Sequence, residues 1–141
     1  MANSSFLQSV QEGDTWPELV KPPVTAEQCA RYCGASGDFN HLHYSEKAAK
    51  AAGFSDVIVQ GALVMGIMGQ AITDVVPNRL LRQFKVRFAK VTRLGDQITV
   101  RGRVTKIELV DGERVLFATL EATDQNGEKK ASGEFQLSLA G

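Results

Sequence analysis

The sequence predicts an α+β fold in which an antiparallel sheet wraps around one long apolar helix, and three observations predict it. Residues 61–75 are apolar on almost every side, so the helix they build must be surrounded by protein. Four runs after Asn78, at 82–90, 98–109, 113–123 and 129–139, read as strands; in the first, Phe84, Val86 and Phe88 alternate with Gln83, Lys85 and Arg87. The connections Leu94-Gly95-Asp96, Asp111-Gly112 and Asn126-Gly127 carry hairpin-turn chemistry, which predicts an antiparallel meander.

The remaining elements follow in chain order. An extended segment at 16–21 runs into Pro22-Pro23. Thr25-Ala26-Glu27-Gln28 reads as a capping box, because Thr25 can accept from the third amide while Gln28 reaches back, and the helix it opens runs to about Gly34. Ser45 caps a second short helix at 46–52, with Glu46 and Lys50 one turn apart and Gly53 as the stop. Within the long apolar helix, Gly66 and Gly69 remove side-chain bulk, so a strand, a partner helix or an acyl chain can approach closely. Pro77 ends it.

With 141 residues the chain fits one domain spanning 1–141. Sixteen basic and sixteen acidic residues balance, so bulk electrostatics imply neither nucleic acid nor an anionic membrane as partner. Nine Lys or Arg residues lie between Arg79 and Lys106 against one acid, Asp96. They could make a patch for a phosphate-bearing ligand or an acidic carrier protein, against the plainer reading of solvated strand faces. Charge reversal at Arg79, Arg82 or Arg93 separates the two readings. The amino terminus lacks the features of a secretory or transit segment, which predicts a cytoplasmic protein. Residues 62–72 fall well short of the roughly twenty that a membrane span needs. Cys29 and Cys33 stand at helical i, i+4 spacing, which suits a reducing compartment and a buried helix face. With His41 and His43 they make a Cys2His2 inventory, but the spacing is not that of a zinc site and no metal is expected.

Chemistry concentrates in Gly37-Asp38-Phe39-Asn40-His41-Leu42-His43. Gly37 permits dihedrals closed to other residues, so a tight loop can turn Asp38, Asn40 and His43 inward and hold one water between Asp38 and His43. A carboxylate beside an imidazole supplies an ionised base and a proton-carrying partner near neutrality, while the Asn40 amide can only orient. The same residues support a purely local reading, in which Asp38 and Asn40 make turn hydrogen bonds and His43 caps the next helix.

The string 32–43, followed by a helix and then Val59-Gln60-Gly61-Ala62-Leu63, resembles the MaoC-like, (R)-specific enoyl-thioester hydratase family of hot-dog folds. The Val86-Arg87-Phe88 strand and the Leu94-Gly95-Asp96 turn extend the resemblance over nearly the whole chain. It implies that Asp38, Asn40 and His43 are the catalytic set and that a backbone amide near Gly61 holds the thioester carbonyl, where the helix dipole favours a developing oxyanion. Two positions depart from the commonest pattern: His41 stands where proline is usual and Gln60 where histidine often precedes the glycine. The resemblance implies reversible hydration of a trans-2-enoyl thioester to an (R)-3-hydroxyacyl thioester, carried on coenzyme A or acyl carrier protein. It implies no other cofactor, and a homodimer joined sheet edge to sheet edge or a heteromeric dehydratase. Thioester hydrolysis and a non-catalytic acyl-binding subunit are the competing readings on the same fold.

Overall fold

The extended segment before Pro22 and the four later strands form one five-stranded sheet. The computed structural model describes residues 4–139. In chain order it contains α1 (Ser4–Ser9), β1 (Thr15–Val20), α2 (Ala26–Ser36), a 3-10 turn (His41–His43), α3 (Glu46–Ala51) and α4 (Gly61–Thr73). A second 3-10 turn (Asn78–Leu80) then leads into β2 (Leu81–Phe88), β3 (Thr99–Val110), β4 (Glu113–Thr123) and β5 (Lys129–Ser138). The sheet is antiparallel throughout, in the order β1-β3-β4-β5-β2. Helix α4 touches all five strands, which gives the expected sheet wrapped around a helix.

The expected four-strand meander does not form in full. Leu94-Gly95-Asp96 does not close a hairpin between β2 and β3, because β2 pairs with β5 and β3 pairs with β1 and β4. The intervening residues, 89–98, are too many for a hairpin loop and cross from one side of the sheet to the other. The turn itself forms, with Gly95 at φ 86°, yet it docks on the chain that follows β1. Gly95 N–H donates to the Val24 carbonyl at 2.8 Å and Val24 N–H to the Asp96 carbonyl at 2.9 Å. Only β3, β4 and β5 make the predicted meander.

Helix α4 buries Val64, Ile67, Met68, Ala71 and Ile72 against the sheet. Trp16 is fully buried, donates from Nε1 to the Ala71 carbonyl at 2.9 Å, and meets the Phe135 ring edge-on at 4.8 Å. Burial of a side chain that size contributes about 2–3 kcal/mol and ties β1 to the helix. The expectation that α4 is surrounded holds for one side only. Gly61, Ala62 and Gly66 are exposed, and a Cβ at Gly66 would meet no atom within 4 Å. Gly69 does serve close packing, since a Cβ there would lie 3.4 Å from the Phe84 ring.

A buried cation pins the crossover. Lys130 Nζ is 2.7 Å from Glu128 and 3.4 Å from both Asp96 and Asp124, and it donates to the Val91 carbonyl at 3.0 Å. Burial alone would lower the Lys130 pKa, but bonding and attraction to the three carboxylates outweigh it and raise the value. Burial alone would likewise raise Asp124; amide donors from Glu128 and Asn126, with the Lys130 ammonium, outweigh it and hold the carboxyl below its usual range.

Lys130→Met therefore leaves buried carboxylates unneutralised and is expected to lower the unfolding free energy by about 3 kcal/mol in urea titrations. The Asp124 contribution is present above the ordinary carboxylate value of about 3.9 and is lost as pH falls through the lower folded value. Asp124→Asn is accordingly less stable than wild type at neutral pH, by a gap that closes on acidification.

Candidate active site

Gly37 ends α2 in the left-handed region at φ 74°, with its N–H donating to the Cys33 carbonyl at 2.9 Å. The helix thus runs two residues past the Gly34 stop expected from the sequence, because Gly37 provides the better C-cap. A run of side-chain turn bonds follows. Ser36 Oγ accepts from Asp38 N–H (3.1 Å), Asp38 Oδ1 from Asn40 N–H (3.2 Å) and Asn40 Oδ1 from Leu42 N–H (3.1 Å). These bonds wind the chain into the 3-10 turn that carries His43. The local reading of Asp38 and Asn40 is therefore present, and it uses one carboxylate oxygen while leaving Oδ2 free for His43.

His43 does not cap the next helix; Ser45 Oγ does, accepting from Ala48 N–H at 3.2 Å. Instead His43 Nδ1 lies 2.8 Å from the Ile58 carbonyl. A carbonyl only accepts, so Nδ1 carries the hydrogen and the neutral ring presents a lone pair at Nε2. That nitrogen stands 3.7 Å from Asp38 Oδ2, with the His43 side chain 11% exposed and the Asp38 side chain 46% exposed. The gap is too long for a direct hydrogen bond.

A cavity of about 290 Å³ opens beside the imidazole, lined among others by His43, Val59, Gly61, Phe88 and Lys90. Gly61 is the first residue of α4, and no side chain caps that helix. Gly61 lines the cavity, so the positive end of the helix dipole lies at its wall, and among the described residues no side chain accepts from the Gly61 amide. The Phe88 ring closes over this point, 3.3 Å from where a Gly61 Cβ would be.

The inward turn of all three loop residues expected from the sequence holds for His43 alone. Asp38 and Asn40 are exposed and do not line the cavity; Asp38 meets it through His43, and Asn40 acts on the Leu42 amide. His41 is exposed and stacks edge-on with Tyr44 at 5.5 Å. Cys29 and Cys33 are buried, and burial, reinforced by Cys33, pushes the Cys29 thiol up. Among the described residues no three His, Cys, Asp or Glu side chains converge as a metal set.

Four of the nine basic residues between Arg79 and Lys106 pair with carboxylates, three of them with partners distant in sequence. Arg82 pairs with Glu113 (2.8 Å), Lys85 with Glu134 (3.9 Å), Arg101 with Glu18 (2.6 Å), and Lys106 with Glu108 (2.9 Å). Arg93 donates to Ser55 Oγ at 3.0 Å, and Arg79 does not line the cavity. The cation exposed at the cavity is Lys90, which the sequence did not single out; its position follows only from the crossover.

Residues 8–126 match the MaoC-like domain family. The chain belongs to that family. The relative most informative for this assignment is the peroxisomal hydratase-dehydrogenase-epimerase of Neurospora crassa, 32% identical over 103 residues, which cover 73% of this chain and 11% of that much longer protein. Among solved structures, the (R)-hydratase from A. caviae superposes with a TM-score of 0.79 at 24% identity, over 92% of this chain and 96% of that one. The ChsH1-ChsH2 complex from Mycobacterium tuberculosis superposes with a TM-score of 0.77 at 22% identity, over 92% of this chain and 98% of the matched one. These two likenesses establish the hot-dog fold. The MaoC-like family is one of acyl-thioester hydratases and dehydratases, which supports a hydro-lyase reaction class for this chain.

Asn40→Ala removes the cap of the His43 turn and is expected to cost about 1 kcal/mol in urea denaturation. The loss should concentrate in faster hydrogen exchange at 40–44 rather than spread through the sheet.

Proposed function

We propose that this MaoC-like chain catalyses the reversible hydration of trans-2-enoyl thioesters to (R)-3-hydroxyacyl thioesters, with Asp38 and His43 sharing the water. The observation that carries this reading is the 3.7 Å pair of His43 Nε2 and Asp38 Oδ2 beside a cavity that also receives the amino terminus of α4 at Gly61.

The chemistry follows from where charge develops. With the thioester carbonyl against the Gly61 amide, C3 of the substrate is electrophilic and addition there places enolate charge on the carbonyl oxygen. Water held between the two side chains attacks C3, and its proton passes to the His43 Nε2 lone pair. The C2–C3 π pair moves toward the carbonyl. Asp38 carboxylate offsets the imidazolium charge, and the Ile58 carbonyl keeps the ring oriented. The enolate then takes the proton from Nε2 at C2, which restores both side chains and leaves a neutral 3-hydroxyacyl thioester. Asn40 holds the loop in this geometry. All steps use groups of the chain, water and the thioester carrier, coenzyme A or acyl carrier protein, so the reading requires no metal or redox cofactor. The (R) outcome rests on family resemblance.

A second copy of this chain fits the reading as partner, working as one domain per chain. Phe88 of the edge strand β2 and Val91 line the cavity and are exposed, and α4 leaves Ala62 and Gly66 exposed. Pairing there would cover apolar surface and an unpaired strand edge. The ChsH1-ChsH2 neighbour is a complex of two different chains, which makes a heteromeric dehydratase the alternative assembly. A cytoplasmic site of action belongs to the proposal; among the described residues no helix is long and apolar enough to cross a membrane.

Crotonyl-CoA should lose its enoyl absorbance with wild type without releasing thiol. Asp38→Asn and His43→Ala should each slow that loss by roughly 10²- to 10⁴-fold. Thiol release would replace the hydratase reading with thioester hydrolysis, and full activity in both variants would remove this pair from the chemistry.

A further inference from the structure

Gln60 is almost entirely buried, at 1% exposure, although it is polar and immediately precedes α4. Its carbonyl accepts from Leu63 and Val64 N–H at 3.1 and 3.3 Å, so its backbone is part of the first turn. Its side chain points away from the helix it opens. Nε2 donates to the Cys29 carbonyl at 3.0 Å and to Cys33 Sγ at 3.3 Å, both on α2 and 31 and 27 residues away. The Cys29 carbonyl can only accept, which fixes the amide with nitrogen toward α2. Oε1 is consequently buried with no hydrogen-bond partner among the described residues. Leaving a buried acceptor unpaired costs stability, and an arrangement that keeps one calls for another reason.

Cys33 is also the residue whose carbonyl caps Gly37, directly before Asp38. The side chain of Gln60 thus grips the middle of the helix that delivers Asp38, from Cys29 to Cys33, while its backbone leads straight into Gly61. Two residues earlier, the Ile58 carbonyl holds His43. We propose that Gln60 is a positioning residue that sets the distance from the Asp38 loop to the amino terminus of α4, acting through Cys29 and Cys33 and touching no substrate. This rests on the hydratase reading for its kinetic consequence, but the strut itself is independent of it.

Gln60→Met keeps the length and volume, removes the donors and also removes the orphaned acceptor. Gln60→His retains one N–H that can reach the Cys29 carbonyl. The Met variant is expected to melt within about 3 °C of wild type. Amide exchange should accelerate in peptides covering 33–40 and stay unchanged in those covering β3 and β4. In enoyl-thioester hydration its kcat should fall roughly 10- to 100-fold with KM within about twofold, and Gln60→His should recover most of the loss. Unchanged exchange at 33–40 in Gln60→Met overturns the proposal, as does a uniform acceleration with a large drop in melting temperature, which would make Gln60 a general core residue. Selective loosening in a chain whose wild type hydrates no enoyl thioester would keep the strut and remove the hydratase reading. Selective loosening with wild-type kcat would overturn the positioning role.

Discussion

The 2.8 Å contact between His43 Nδ1 and the Ile58 carbonyl is the interaction on which the rest of the site depends. It chooses the tautomer, turns Nε2 toward Asp38 and ties the loop that bears both groups to the segment leading into α4. That segment is itself held from the far side. Val59 N–H donates to the Thr92 carbonyl at 2.9 Å, and Ile58 bridges Arg93, so the crossover between β2 and β3 supports it. Lys130 in turn fixes the crossover through Val91 and Asp96. A buried cation on β5 is thereby linked to the orientation of one imidazole by a chain of contacts, each short and each specified by a single side chain or carbonyl.

Seen from the sheet, the constraint is the apolar helix. Helix α4 must bury Ile67, Met68, Ala71 and Ile72, and seating them on five strands brings its first residue to the edge where β2 ends in Phe88. Burial of those side chains is worth several kcal/mol, against about 1 kcal/mol for any turn bond in the loop. Packing therefore decides where the helix amino terminus lies, and the loop adapts to it. The uncapped amides at Gly61 follow from this order of magnitudes, since a helix held by its apolar face tolerates an open first turn.

Much of this was legible in the sequence because it is local. Thr25 and Ser45 cap their helices as their residue types dictate, Gly37 takes a positive φ, and of the β2 face expected to carry Phe84, Val86 and Phe88 the first two pack on the core while Phe88 is exposed. What escaped is what depends on partners far apart in sequence. The Gly95 turn has hairpin chemistry, but its bonds go to Val24, so β2 could not be placed beside β5 from turn residues alone. Arg82 and Arg101 look like parts of a positive patch until Glu113 and Glu18 come alongside from other strands. Gln60 carried a signal, as a polar residue opening an apolar helix, but its grip on α2 is visible only once the two helices meet. The apolarity of α4 calls for protein around it, from strands or a partner helix, and in the single chain Gly61, Ala62 and Gly66 stay exposed.

The central claim is that this site adds water across a carbon–carbon double bond rather than to a thioester carbonyl. It is tested most directly by incubating enoyl-CoA with the protein in water labelled with heavy oxygen and locating the label by mass spectrometry. One heavy oxygen in the hydroxyl at C3 of an intact 3-hydroxyacyl thioester is the expected result. Label in the carboxylate of a free acid would contradict it.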